Sequence, residues 1–224
     1  MKAAIDSQLK IARIEVMMGN KGPHPLPLSG HRAKVGRERG EICHMVTPQQ
    51  LEDFCNKARK MGALDAVVVS PPKQVFTAVW VRLRCQFGCS EYGQCLTCPP
   101  HSPAPETTRK MLDEYNSAIL LHGSKWKLVR EIAQALELKV FLAGHYKAFA
   151  FLCGPCDLCR KCVCLAARTK KGKAAACQHP DLARPAMEAA GIDVFATARA
   201  AGLPIEVVRS TDSPPNYYAL VLVD

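Results

Sequence analysis

The spacing of the cysteines constrains this chain more than any other feature. Nine of its twelve cysteines fall in two short runs, and a tenth follows the second run. The first run is Cys85-x3-Cys89-x5-Cys95-x2-Cys98, followed by Pro99-Pro100. Four thiols so close together, at such uneven spacing, do not fit one face of a helix or strand. They fit a loop wrapped around one ion or cluster. Gly88 and Gly93 suit the tight turns of such a loop, and Pro99-Pro100 stiffens its end.

The second run is Cys153-x2-Cys156-x2-Cys159-x2-Cys162-x-Cys164, with Cys177 beyond it. In bacterial ferredoxins a C-x2-C-x2-C stretch supplies three thiolates, and a distant Cys-Pro supplies a fourth. On that template Cys156, Cys159 and Cys162 form the triplet and Cys177 is the remote ligand. Pro180 follows Cys177 at three residues rather than one. Cys153-Cys156-Cys159 is an equally spaced alternative, but Gly154-Pro155 reads as the turn that leads into the later triplet.

The ligand type narrows the metal. Zinc sites usually pair two Cys-x2-Cys knuckles separated by ~15–20 residues. The first run has a gap of five, and the second has too many consecutive x2 steps for one tetrahedral ion. Iron–sulfur ligation accommodates both. The expectation is one or two [4Fe–4S] clusters, with zinc as the alternative. Disulfides are disfavoured, because 224 residues can build a core without covalent staples and twelve cysteines fall below the density of a disulfide scaffold. The amino terminus does not read as a signal peptide, since Asp6, Lys10 and Arg13 interrupt it. No apolar run approaches the ~18 residues that span a bilayer. A cytoplasmic protein with reduced thiols and no membrane contact is expected.

Charge decides less. The formal net charge is +10, but the first 40 residues hold eight Lys/Arg against three acids. The thiolates of each bound cluster would lower the remaining excess. The basic stretches lack the interleaved aromatics that stack bases, so a nucleic-acid partner is disfavoured and a redox partner protein is expected. Residues 1–42 read as a basic Pro/Gly-rich tail of disordered composition, with a short helix conceivable over 3–17; residues 43–224 read as the cysteine-rich metal-binding domain.

Within that domain Thr47, Pro48 and Gln50 form a capping box that starts a helix. Leu51, Phe54, Cys55 and Ala58 are its apolar stripe, and Gly62 ends it. Helices are also expected over residues 105–115, 125–143 and 193–201, the last capped by Asp193. Strands are expected over 66–70, 75–85, 117–121, 148–152, 204–208 and 217–223. The fold class is α/β or α+β: a small mixed sheet with flanking helices and two inserted cysteine-rich loops.

The chain resembles the predicted metal-binding proteins of domain-of-unknown-function family 2284, found mainly in anaerobic bacteria and archaea. The likeness is carried by Val81-Arg-Leu-Arg-Cys85, Gly88-Cys89, Tyr92-Gly93, Thr97-Cys98-Pro99-Pro100, Gly154-Pro155-Cys156-x2-Cys159-x2-Cys162, Cys177-x-His179-Pro180 and Arg184-Pro185-x-Met187-Glu188-Ala189. It extends over about residues 46–224. The resemblance implies metal binding and assigns Cys85, Cys89 and Cys98 to the first site, with Cys95, Cys153 and Cys164 outside the regular positions. A cubane on three thiolates has one iron open to a substrate, whereas one on four is closed and suits electron transfer. Candidate ligands are therefore Cys85, Cys89, Cys95 and Cys98 at one site, and Cys156, Cys159, Cys162 and Cys177 at the other.

Other residues read more simply. Cys55 is a core residue and Cys43 a bystander. Arg82 and Arg84 read as outward strand residues, His179 as a turn histidine and Tyr92 as a shield for the first site. The expected role is one-electron redox in anaerobic metabolism. Its rivals are a zinc-stabilised binding module for protein or nucleic acid, and an enzyme reacting at an open iron by sulfur removal or small-molecule reduction.

Overall fold

The capping box at Thr47 forms. Thr47 Oγ1 accepts from the Gln50 amide and Gln50 Oε1 accepts from the Thr47 amide, so helix α1 (Pro48–Lys60) starts where the sequence says it should. The computed structural model describes residues 45–160, 162, 164, 176–210 and 212–224. The basic tail, the conceivable helix over 3–17 and Cys43 lie outside the described residues.

Along the chain follow β1 (Asp65–Val69), a short α2 (Pro71–Gln74), α3 (Val81–Gly88) and α4 (Pro105–Leu112). Then come β2 (Ala118–Gly123), α5 (Trp126–Leu142), β3 (Phe149–Phe151), a 3₁₀ turn (Glu188–Ala190), α6 (Val194–Ala200) and β4 (Tyr217–Leu222). The sheet order is β1-β2-β4-β3, and every pairing is antiparallel rather than mixed. β2 and β3 both oppose β4, so they run parallel to each other. Helix α5 is their crossover, and the last strand slots between them, as in a split β-α-β unit.

Side-chain alternation divides the core into two layers. Ile119 and Leu121 of β2 pack with Ala219 and Val221 of β4 against α1 and α5. Ala118, Leu120, Leu220 and Leu222 face the other way, onto Leu112, Met187, Ile192 and Ala198. Burying each large side chain of this kind contributes about 1.5–3 kcal/mol. Both faces of the sheet are covered, which is why β2 reads as a continuous apolar run. His122 in this strand is a satisfied buried histidine: its Nδ1 meets Asp65 Oδ2 at 2.7 Å and its Nε2 meets Asn216 Oδ1 at 2.8 Å. No helix among the described residues is long and apolar enough to cross a membrane.

Two expected strands are corrected. Residues 75–85 do not form a strand. They make an isolated bridge, Thr77 to Ile192, and then turn into α3. The apolar residues alternate, but Phe76, Val79, Trp80, Leu83 and Phe87 also recur at helical spacing. That stripe stays exposed, so no sheet neighbour selects the extended form. Residues 204–208 are also not a strand. Only Ile205 of their apolar side chains is buried, and the Pro204 carbonyl accepts from the Tyr218 hydroxyl instead of from a strand neighbour.

Gly191 ends the 3₁₀ turn with φ +79, and a Cβ there would lie 2.4 Å from Pro105 Cγ. Gly191→Ala is therefore expected to destabilise the protein by about 2 kcal/mol or more, adding left-handed strain to overpacking. The urea midpoint checks this; an unchanged midpoint contradicts the packing of α4 on the turn.

Candidate metal centre

The first cysteine run straddles the end of α3. Cys85 lies on the helix and Cys89 is its C-cap. Cys95 and Cys98 are buried in the loop that follows. Gly93, with φ +72, lets its amide donate to Pro99 O at 2.8 Å and so closes that loop. Gly88 is helical and carries no such turn. Arg82 is not an outward strand residue. It reaches from α3 to the Ser102 and Pro103 carbonyls and fixes the end of the loop. Ser102 Oγ then donates to Ala189 O at 2.5 Å, tying the loop to the 3₁₀ turn.

The thiols of this run act on one another. Cys95 is held low and Cys98 is held high, each chiefly by the other. Thr97 Oγ1, 3.2 Å from Cys95 Sγ, and the Cys156 amide add to the lowering at Cys95. Cys98 is raised further by burial and by the neighbouring Cys85 and Cys89. Cys85 is raised by burial and then by Cys89 and Glu188.

The second run leaves the sheet after β3. Cys153 belongs to the core. Its Sγ donates to Trp126 O at 3.5 Å, and burial pushes it up to about 12. Gly154 then turns the chain with φ +67. Beyond it Cys156, Cys159, Cys162 and Cys177 are all half-buried, while Cys164 is buried. Burial, followed by hydrogen bonds with Cys162 and Cys177, pushes Cys164 up to about 11. Cys156 feels both Cys95 and Cys177. The His179 amide, not its ring, meets Cys177 Sγ, at 3.4 Å.

Two features were not legible in the spacing. One is the meeting of the runs: Cys85, Cys89 and Cys98 of the first share a cavity wall with Cys153, Gly154 and Pro155 at the head of the second. The other is the clamp that holds the second loop. Three residues on one side of α5 grip both its ends. Arg130 donates to the Cys153 and Pro155 carbonyls and pairs with Asp157 Oδ1 at 3.1 Å. Gln134 donates to Leu182 O at 2.8 Å. Glu137 pairs with Arg184 at 2.7 Å and accepts from the Ala150 amide. Arg184 in turn donates to the Pro180 and Ala183 carbonyls. The available signal was two opposite charges, Arg130 and Glu137, set seven apart beside an otherwise apolar helical stripe.

A cavity of about 830 Å³ opens at the first run. Cys85, Cys89 and Cys98 line it, and Cys95 does not. Tyr92 stands in the wall. Glu188 stands exposed in the wall of this cavity. Among the described residues no three His, Cys, Asp or Glu are already closed around a single-ion position.

A family model described as "Predicted metal-binding protein (DUF2284)" matches residues 69–223, a span that contains both cysteine runs. No curated protein and no solved structure matches the chain.

Proposed function

The chain belongs to the DUF2284 family of predicted metal-binding proteins, and from that premise we propose that its metal is iron, held as [4Fe–4S] clusters at both cysteine sites for one-electron transfer. One cavity wall carries this reading, because Cys85, Cys89 and Cys98 of the first run share it with Cys153, Gly154 and Pro155 at the head of the second, which sets the two runs side by side. Two adjacent all-sulfur sites suit a relay, in which electrons pass from one site to the next. The donors support iron–sulfur ligation, since every candidate ligand is a soft thiol, three of them on the cavity wall at the first site and four at the second. A cluster supplies a one-electron couple, and an iron without a protein ligand also supplies an open coordination position.

The protein's own residues set the conditions. Cys85, Cys89 and Cys98 hold the first site and Cys156, Cys159, Cys162 and Cys177 the second. Cys164, hydrogen-bonded to Cys162 and Cys177, is a second candidate for the place of Cys159. Arg82, Arg130 and Arg184 are positioning residues: they fix the loop backbones through carbonyl oxygens. The His179 amide, 3.4 Å from Cys177 Sγ, points at sulfur and tunes it. A redox partner protein follows as part of the same proposal.

A second reading, reaction at an open iron, is favoured by one observation. Three thiols of the first site face the cavity and the fourth does not. Both readings need iron, so one measurement comes first. Anaerobically purified protein is expected to carry about eight Fe and eight acid-labile sulfide per chain, with broad absorption in the visible. One or two Zn without sulfide overturns the redox reading in favour of a zinc-stabilised module.

A further inference from the structure

Helix α3 carries two faces of different chemistry. Val81 and Cys85, four apart, share the face on which the helix packs against the 3₁₀ turn. Trp80, Leu83, Arg84 and Phe87 stand at the i, i+3, i+4 and i+7 positions of another face. That face is open: Leu83 is 54% exposed and Phe87 79%. Five of the twelve large apolar side chains left exposed among the described residues fall between positions 76 and 87. Single exposed apolar residues need no explanation, but a cluster of them marks an interaction site. A groove of about 450 Å³ lies on the same face, lined by Leu83, Arg84, Phe87 and Gly88.

The charge of this face has one sign. Between Asp65 and Glu91 the chain carries Lys73, Arg82 and Arg84 and no acid. Arg82 spends its guanidinium on the Ser102 and Pro103 carbonyls. Arg84 is exposed, has no side-chain partner among the described residues, and is the one charged residue of the groove. A free guanidinium fork fits a carboxylate in two parallel hydrogen bonds. Trp, Phe and Arg together are also the side chains that anchor protein interfaces. One free cation is too few for a nucleic acid, which is held through several phosphates at once. A second copy of this chain would bring an equally acid-free face. The complement is a protein with an acidic surface.

The metal site lies behind this face. Cys85 follows Arg84 in the helix and Cys89 caps its end, so a protein seated on Trp80, Leu83 and Phe87 stands about one helix width from the first site. We propose that this face docks an acidic one-electron carrier protein, with an apolar side chain of the carrier in the groove and a carboxylate on Arg84. The reduced carrier gives up one electron and the first cluster gains it. The proposal rests on the reading that the first site holds iron.

The test uses the full chain, purified anaerobically, with its Fe, Zn and sulfide counted first. An acidic plant-type ferredoxin is the probe, titrated calorimetrically in its oxidised form. It is expected to bind one to one and to lose about tenfold in affinity between about 20 mM and about 200 mM salt. Arg84→Glu is expected to weaken binding about tenfold at low salt and to flatten the salt dependence. Phe87→Ser is expected to weaken it about fivefold at both salt concentrations, with the iron count unchanged. Tyr146→Ser, at a ring 76% exposed in the turn between α5 and β3, is expected to change nothing. In stopped flow, dithionite-reduced ferredoxin is expected to pass its electron to the iron-loaded protein, at rates that fall in step with affinity across these variants.

No saturable binding, or equal weakening by Phe87→Ser and Tyr146→Ser, overturns the docking face. Electron transfer that Arg84→Glu and Phe87→Ser leave unchanged overturns it too, and leaves the iron reading standing. A dimer that Phe87→Ser dissolves in sedimentation assigns the face to a second copy and overturns the proposal. So does tighter binding of an oligothymidylate than of ferredoxin, lost in Arg84→Glu. The expected binding pattern in protein that carries zinc and no sulfide upholds an acidic partner on this face and removes the iron reading.

Discussion

Glu137→Ala is expected to lower stability by about 3–5 kcal/mol, the usual cost of stripping one partner from a buried ion pair. Glu137 is 2% exposed and sits against Arg184, whose side chain is 10% exposed. Its loss leaves a guanidinium without its counter-charge, and it removes the acceptor of the Ala150 amide in β3. A domain of this size has about 5–15 kcal/mol in all, so the variant stands near the edge of folding. The urea midpoint reads the effect, and a shift worth less than about 1 kcal/mol contradicts the clamp. A double replacement, Glu137→Leu with Arg184→Met, separates charge from packing. Apolar pairs often match or exceed the buried ion pairs they replace, so most of the stability is expected to return. The grip of Arg184 on Pro180 and Ala183 does not return with it. Weaker metal retention at the second site in a stably folded double variant is therefore the signature of loop anchoring.

This clamp also shows where sequence reasoning stops. The start of α1 was legible because its signals are local: Thr47, Pro48 and Gln50 meet within one helical turn. So was the Asp193 cap of α6. The turn at Gly154 and the core place of Cys55 followed from composition and stripe in the same way. Val75–Cys85 misled because its apolar residues satisfy two periods at once, and the choice was made by the Arg82 and Ala78 contacts, which are tertiary. The ligand candidates came from spacing along the chain. That the two runs share a cavity wall, and that α5 holds both ends of the second loop, depends on contacts between distant segments. No local pattern encodes those.

Cys98→Ser and Cys95→Ser are expected to part company, and their difference decides what kind of site the first run makes. Cys98 faces the cavity with Cys85 and Cys89, so it completes a three-thiolate face. Serine at 98 removes one of three anchors there. The variant is expected to lose the first cluster outright, leaving about four Fe and four sulfide of about eight. The iron kept on the second site is the internal control for folding. Cys95 is not part of that wall, and its sulfur lies 3.2 Å from Thr97 Oγ1. As a positioning residue it braces its own loop and spends no ligand on the cavity face. Cys95→Ser is therefore expected to keep about eight Fe, because a hydroxyl preserves hydrogen bonding to Thr97. Its effect should appear in the reduction potentials, since hydrogen bonds near cluster sulfur tune them. Equal loss of iron in both variants makes Cys95 a fourth ligand. A first site closed in that way leaves no iron open toward the cavity, and electron transfer remains its only role. Retention in Cys95→Ser with loss in Cys98→Ser leaves one iron of the first cluster without a protein ligand, at the wall of a cavity with room for a small molecule beside it.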